Sequence, residues 1–139
     1  MIVNKKEFQE LSLDELYSIL KIRQEVFIVE QKCFYLDCDG LDKKAIHFLG
    51  IKNKELIAYM RVLKTKKNNK KESLVLGRIL VKKKYRKLGI GLTFMDNVIS
   101  FLTERFPSFS MEMSAQTYLI NFYQKFNFKV FGKEYLDAG

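Results

Sequence analysis

The fold class that the sequence predicts is a mixed α/β sheet, an antiparallel meander followed by a βαβ crossover. Three observations carry it. Strand-patterned segments at residues 45–52, 55–63 and 74–81 follow one another with no helical pattern between them. The last of these runs through a basic turn into a helical pattern over 90–105 and then a short strand over 109–113. A helix that joins two strands of one sheet makes them parallel neighbours or near neighbours. The third observation is length: 139 residues with 47% hydrophobic content suit one domain with its own core.

The elements follow in chain order. Residues 2–8 suggest a first strand. Ser12-Leu13-Asp14-Glu15 is a capping box, with Ser at N-cap and Glu at N3. Leu16, Ile19, Leu20, Ile22, Val26 and Phe27 then form a broad apolar stripe, so a helix should run to about Val29. Asp37, Asp39, Gly40 and Asp42 mark 30–44 as a loop. Lys52-Asn53-Lys54 is the turn of an antiparallel hairpin. Lys64 to Lys71 suggests a solvated loop, and Gly77 a bulge in the apolar strand after it. The helix over 90–105 presents Leu92, Met95, Val98, Ile99 and Leu102 inward, and Pro107 ends it. A helix over 118–126 and a strand over 128–135 complete the order β-α-β-β-β-α-β-α-β.

Composition removes several function classes. No segment approaches the ~20 apolar residues of a membrane span, and the first residues lack a signal-peptide core. A cytoplasmic protein that does not engage a membrane is expected. Cys33 and Cys38, with one histidine, cannot supply a four-ligand zinc site without carboxylates, so reduced thiols and no metal are expected. The net charge of +9 comes from 20 Lys and only 5 Arg. Readers of base edges favour the planar fork of Arg, so a lysine excess argues for a solubilising surface and against nucleic acid.

The most informative stretch is Val81-Lys82-Lys83-Lys84-Tyr85-Arg86-Lys87-Leu88-Gly89-Ile90-Gly91-Leu92. Two glycines at a strand-to-helix junction can bring backbone N–H groups and the positive end of a helix dipole against an anion such as a pyrophosphate. By themselves they are equally compatible with a tight turn. In a crossover fold this loop falls at the carboxyl end of the first crossover strand, where ligands sit.

Arg86-Lys87-Leu88-Gly89-Ile90-Gly91 further resembles the Arg/Gln-x-x-Gly-x-Gly/Ala signature of the GNAT superfamily of acyl-CoA-dependent acyltransferases. Asn121-Phe122-Tyr123-Gln124-Lys125-Phe126-Asn127-Phe128 resembles that superfamily's Asn-x-x-Tyr-x-x-x-Gly-Phe element, with Asn127 in place of Gly. The run from Val26 to Asp42, with Val29-Glu30-Gln31, Cys33, Tyr35, Asp37, Asp39-Gly40 and Asp42, followed by His47, is similar to the ElaA-like subgroup. Ala115-Gln116 also matches it. The resemblance covers residues 16 to about 136 and implies a GNAT-type fold with splayed central parallel strands. It implies that Arg86, Lys87, Leu88, Gly89, Ile90 and Gly91 hold the pyrophosphate of coenzyme A, with Ile79, Leu80, Val81, Asn121 and Tyr123 along the rest of the cofactor.

What it implies chemically is direct transfer of an acetyl group from acetyl-CoA to a primary amine, on a small molecule or a protein. Tyr123 is then the acid for the departing thiolate, since a phenol keeps its proton at neutral pH. A backbone N–H on the strand before the loop faces the oxyanion. The amine loses its proton to Glu30, His47 or Glu112, directly or through water. Glu30, His47 and Gln116 are the candidate acceptor-binding residues. Asp37, Asp39 and Asp42 lack the spacing of a calcium loop; they either shape the acceptor pocket by hydrogen bonding or attract a cationic acceptor. His47 is alternatively a satisfied structural histidine. The rival classes are a basic module for nucleic acid or another anion, and a GNAT fold that binds CoA without turnover. Family chains place a further strand after a segment like Tyr135-Leu136-Asp137-Ala138-Gly139. Its absence leads to the expectation of an open sheet edge and a possible homodimer.

Overall fold

The computed structural model describes residues 1–66 and 72–113. Strand β1 (Ile2–Glu7) leads through a short 3-10 turn into helix α1 (Leu13–Arg23). The expected capping box forms: Ser12 Oγ accepts from the Glu15 N–H at 3.0 Å, and Glu15 Oε1 accepts from the Ser12 N–H at 2.8 Å. The helical path does continue to Glu30, but Gln24–Glu30 is wound as a π-helix. A connecting loop then leads to β2 (Ile46–Lys52). Strands β3 (Glu55–Lys66) and β4 (Glu72–Val81) follow, then helix α2 (Ile90–Arg105) and β5 (Ser110–Met113).

These strands form one sheet in the order β1-β2-β3-β4-β5. The first four pair antiparallel. The β4–β5 pair is parallel, from Ser73↔Ser110 to Leu76↔Met113, with α2 as the crossover. Asn53 and Lys54 both take positive φ (50° and 64°) between the paired Lys52 and Glu55. That two-residue turn matches the twist of the flanking strands. Lys64, Thr65 and Lys66, expected in a loop, extend β3 and pair with residues 72–74.

The sheet carries a helix on each face. Phe94, Met95, Val98 and Leu102 of α2 pack on Phe48, Met60, Val62, Leu74 and Leu76. Ile19 and Ile22 of α1, with Val26 and Phe27, pack on Leu49, Tyr59 and Leu80 across the sheet. Leu92, expected on the inner face, is 38% exposed, and Phe94 is buried in α2 instead.

Strand β4 switches its alternation midway. Leu74 and Leu76 face α2, whereas Leu80 faces α1 and Ile79 and Val81 pack on the α2 side. Between the pairs Arg61↔Gly77 and Tyr59↔Leu80, β4 holds one residue more than β3, which inverts the period-2 pattern. The bulge therefore falls where Gly77 suggested, but the left-handed residue is Arg78, with φ 51°. A non-glycine side chain in that region costs roughly 1–2 kcal/mol.

Candidate active site

The segment from β4 to α2 is fixed before the glycines begin. The Lys82 N–H donates to the Ile57 carbonyl at 2.7 Å, and a 3-10 turn spans Lys83–Tyr85. Glu55 on the hairpin accepts from Lys82 Nζ at 2.7 Å and from the Tyr85 hydroxyl at 2.8 Å. Those two hydrogen bonds hold the Glu55 carboxyl down at about 2. Lys87 takes φ 65°, and Gly89, with φ 78°, is the N-cap of α2. The Thr93 N–H closes on the Gly89 carbonyl at 3.1 Å. The N–H groups of Ile90, Gly91 and Leu92 precede that bond and have no intrahelical acceptor. A Cβ at Gly89 would meet no atom of the described residues within 4 Å. Strand end, left-handed glycine and exposed helix N-terminus together form a fitting cradle for a pyrophosphate.

Arg86 lies beside that cradle and is already engaged. Its Nε donates to the Val81 carbonyl at 2.8 Å. Its Nη1 and Nη2 donate to Glu30 Oε1 and Oε2 at 2.6 and 2.9 Å. Glu30 ends the π-helical turn, so this ion pair joins the α1 side to the glycine loop across 56 residues. A groove of about 620 Å³ lies there, lined by Glu25, Val26, Glu30, Lys82, Lys83 and Lys84.

The other end of the 30–44 loop is built differently. Asp37, Asp39 and Asp42 meet Arg23 of α1, Arg61 of β3 and Arg78 of β4. Arg23 Nε donates to Asp37 Oδ2 at 2.8 Å, and its Nη1 to Asp42 Oδ1 at 2.6 Å. Arg61 grips Asp39 through Nη1 and Nη2 at 2.8 and 2.9 Å and reaches Asp42 at 3.1 Å. Arg78 Nη2 lies 3.4 Å from Asp39 Oδ2. Arg78 Nε stands 2.8 Å from Asp37 Oδ1 but out of line for a hydrogen bond, so that contact is an ion pair alone. The charges alternate around a closed ring of three carboxylates and three guanidiniums. Burial alone would raise the Asp39 carboxyl, but the hydrogen bonds from Arg61 and the Leu41 N–H, with the charges of Arg61 and Arg78, together outweigh it and hold it at about 2. Burial likewise opposes the shift at Asp42, where Arg23 pulls the carboxyl below its ordinary range. The expectation that these carboxylates attract a cationic acceptor is therefore corrected: the chain's own arginines take them.

His47 is buried on the same face. Its Nε2 is 2.8 Å from the Asp42 carbonyl oxygen, which only accepts, so Nε2 carries the proton. Nδ1 then accepts from the Tyr59 hydroxyl at 2.6 Å. Burial pushes the His47 imidazole below its ordinary value, and the nearby Arg23 and Arg61 add to this. Both ring nitrogens are occupied, and in the sheet order His47 stands two strands from β4. The structure thus brings Glu30 to Arg86 and His47 to Tyr59 and Asp42. Gln116, Asn121 and Tyr123, the helix predicted over 118–126 and the strand predicted over 128–135 lie outside the described residues.

The partners that sequence reasoning missed are Arg23, Arg61, Arg78 and Tyr59. A signal for two of them exists. Arg61 and Arg78 each interrupt an apolar run (Tyr59 to Leu63, Leu74 to Val81), where an unpaired charge would be costly, whereas Arg23, followed by Gln24 and Glu25, carries no such mark.

Residues 13–139 match the model of the acetyltransferase (GNAT) domain. The chain belongs to the GNAT acetyltransferase family. Among relatives, it is 40% identical to protein ElaA of Escherichia coli over 121 residues, covering 86% of this chain and 78% of ElaA. It is 36% identical to a UPF0039 protein of Synechocystis over 135 residues, covering 96% and 86%. The crystal structure of Escherichia coli ElaA superposes with a TM-score of 0.82, covering 90% of this chain and 84% of that one at 38% identity. That of an acyl-CoA N-acyltransferase from Pseudomonas aeruginosa gives 0.81, covering 91% and 85% at 30% identity. The five-stranded mixed sheet flanked by two helices is thus a GNAT fold. No helix among the described residues is long and apolar enough to cross a membrane.

Proposed function

We propose that this GNAT protein transfers an acetyl group from acetyl-CoA directly to a primary amine. The observation that carries the reading is the junction of β4 and α2, where left-handed Gly89 caps a helix whose first N–H groups have no intrahelical acceptor. The backbone from Arg86 to Gly91 would hold the pyrophosphate, with Ile79, Leu80 and Val81 along the rest of the cofactor. When bound, acetyl-CoA supplies an activated thioester, so positioning accounts for much of the rate. Asn121 and Tyr123 are assigned to the cofactor side, with Tyr123 Oη holding the proton for the departing thiolate.

Among the candidate bases, geometry separates Glu30 from His47. A buried imidazole with both nitrogens bonded is poorly placed to take a proton from an amine. The Glu30 side chain is 25% exposed and borders the groove beside the cofactor loop. We assign it the acceptor side of that groove, with Gln116, and keep His47 as support for the loop. The acceptor is an amine on a small molecule or a protein. Four of the five arginines are tied to carboxylates, which leaves few forks for reading nucleic acid.

The test is a panel of primary amines with acetyl-CoA and continuous detection of free thiol. Amine-dependent thiol release, with the acetylated amine found by mass, supports the proposal. CoA binding without release for any amine would leave a CoA-binding GNAT fold, and no CoA binding would overturn the reading.

A further inference from the structure

Arg78 is the residue whose backbone and side chain are at odds. Its φ of 51° suits glycine, and a bulge with a left-handed first residue ordinarily places glycine there. The neighbouring Gly77 stands one position too early and pairs regularly with Arg61. What holds Arg78 is its side chain. The guanidinium meets the Asp37 carboxylate at 2.8 Å, the Asp37 carbonyl at 3.1 Å and Asp39 at 3.4 Å, and lies 5.7 Å from the centre of the Tyr35 ring. Asp37 is itself fixed from the far side by Arg23, whose Nη2 shares the same carbonyl at 3.1 Å.

The bulge has a consequence for the site. It inverts the alternation of β4, so it decides which way Ile79, Leu80 and Val81 point and where their amides aim. These are the residues that lead into the cofactor loop. A regular strand through Arg78 would place each on the opposite face.

We propose that Asp37 and Arg78 are positioning residues for acyl transfer: the docked Asp37–Asp42 loop holds the β4 bulge through Arg78 and so sets the backbone of Ile79–Val81 against the acyl group. This rests on the acyltransferase reading. It makes the loop an active part of the site without contact to the reacting atoms.

The tests use Asp37→Asn, Arg78→Lys, Arg78→Gly and the double variant Asp37→Asn/Arg78→Gly in the full chain. The readouts are kcat with an accepted amine, CoA affinity by calorimetry, and the amide NMR shifts of residues 77–81. Asp37→Asn and Arg78→Lys should each lower kcat by about ten- to a hundredfold, hold CoA affinity within about threefold, and move the amide shifts of 78–80. In the double variant, glycine adopts the left-handed bulge without an anchor. It should regain most of the kcat that Asp37→Asn loses and return the shifts of 79 and 80 towards the parent. A merely structural ion pair would give no such rescue, because the double variant has lost both charges. Unchanged kcat and shifts in Asp37→Asn, or a double variant no better than it, would overturn the proposal. Should Asp37→Asn fail to fold, Arg78→Lys and Arg78→Gly carry the same comparison. If the parent turns over no amine, the transfer reading has failed, while the amide shifts still decide whether Asp37 holds the bulge.

Discussion

On the proposed reading Glu30 and the pyrophosphate compete for the Arg86 guanidinium, so Glu30→Gln should tighten CoA binding. Arg86 gives both terminal nitrogens to Glu30, at 2.6 and 2.9 Å. The two side chains are 38% and 25% exposed, so this pair is worth only about 0.2–1 kcal/mol, towards the upper end for two-point geometry. A carboxylate about 4 Å from an incoming phosphate oxygen adds about 1 kcal/mol of repulsion even in water. Gln keeps the length and one hydrogen bond and removes the charge. A net gain of about 1 kcal/mol is about a fivefold lower Kd. Calorimetry with CoA at fixed ionic strength measures it. Arg86→Ala should then cost more in the Glu30→Gln background than in the parent, since the freed fork is doing more for the ligand. An unchanged or weaker affinity in folded Glu30→Gln would refute the reasoning, and would mean either that Arg86 does not hold phosphate or that the ion pair is needed to shape the cradle.

Gly89→Val should weaken CoA binding at least tenfold, about 1.4 kcal/mol. The Cβ of valine would meet no atom of the described residues within 4 Å, but valine resists φ 78° and covers the helix end, and calorimetry on the folded variant checks this. Tyr123→Phe should lower kcat by ~10²–10⁴ with nearly unchanged CoA affinity; full activity would assign the thiolate proton elsewhere. His47 gives a pH signature. Burial lowers its folded pKa, so its contribution is present above the unfolded value of about 6.5 and is lost as pH falls from there towards the folded value. Urea midpoints of the parent should therefore fall with acid below about pH 6.5 more steeply than those of His47→Gln, and parallel curves would count against a buried neutral imidazole.

Much of this fold was legible because it is written in local period. Residues 90–105 were predicted as a helix and α2 is Ile90–Arg105; the capping box and the Asn53-Lys54 turn depend on neighbours in sequence. The candidate cofactor loop was legible for the same reason, as two glycines between a strand and a helix. What sequence could not show joins residues far apart. Arg78 and Asp37 are 41 positions apart and Arg86 and Glu30 are 56, and no spacing rule links them. Gly77 marked the bulge, but local preference gave no sign that its left-handed residue is Arg78, which tertiary contacts hold there. The π-helical winding of Gln24–Glu30 left no mark in the apolar stripe, since Val26 and Phe27 face the core as a continuing α-helix would also have them.

The ring of Arg23, Arg61 and Arg78 with Asp37, Asp39 and Asp42 is better understood as a device for geometry than as a source of stability. Burying the charges of Arg23, Arg61 and Asp37 costs several kcal/mol each, and mutual attraction within such a ring often does little more than recover it. Apolar residues of similar volume could close the same surface. They would not fix a loop as closely, because apolar contacts are non-directional while each carboxylate here meets two guanidinium forks at set distances. The use of arginine follows from the same need. A lysine is a point charge on a flexible stem, whereas the planar fork spans two partners at once. In a chain with 20 lysines, three of the five arginines stand in this ring and a fourth holds Glu30. The lysines supply the net positive charge, and the arginines determine how the loop and β4 face each other.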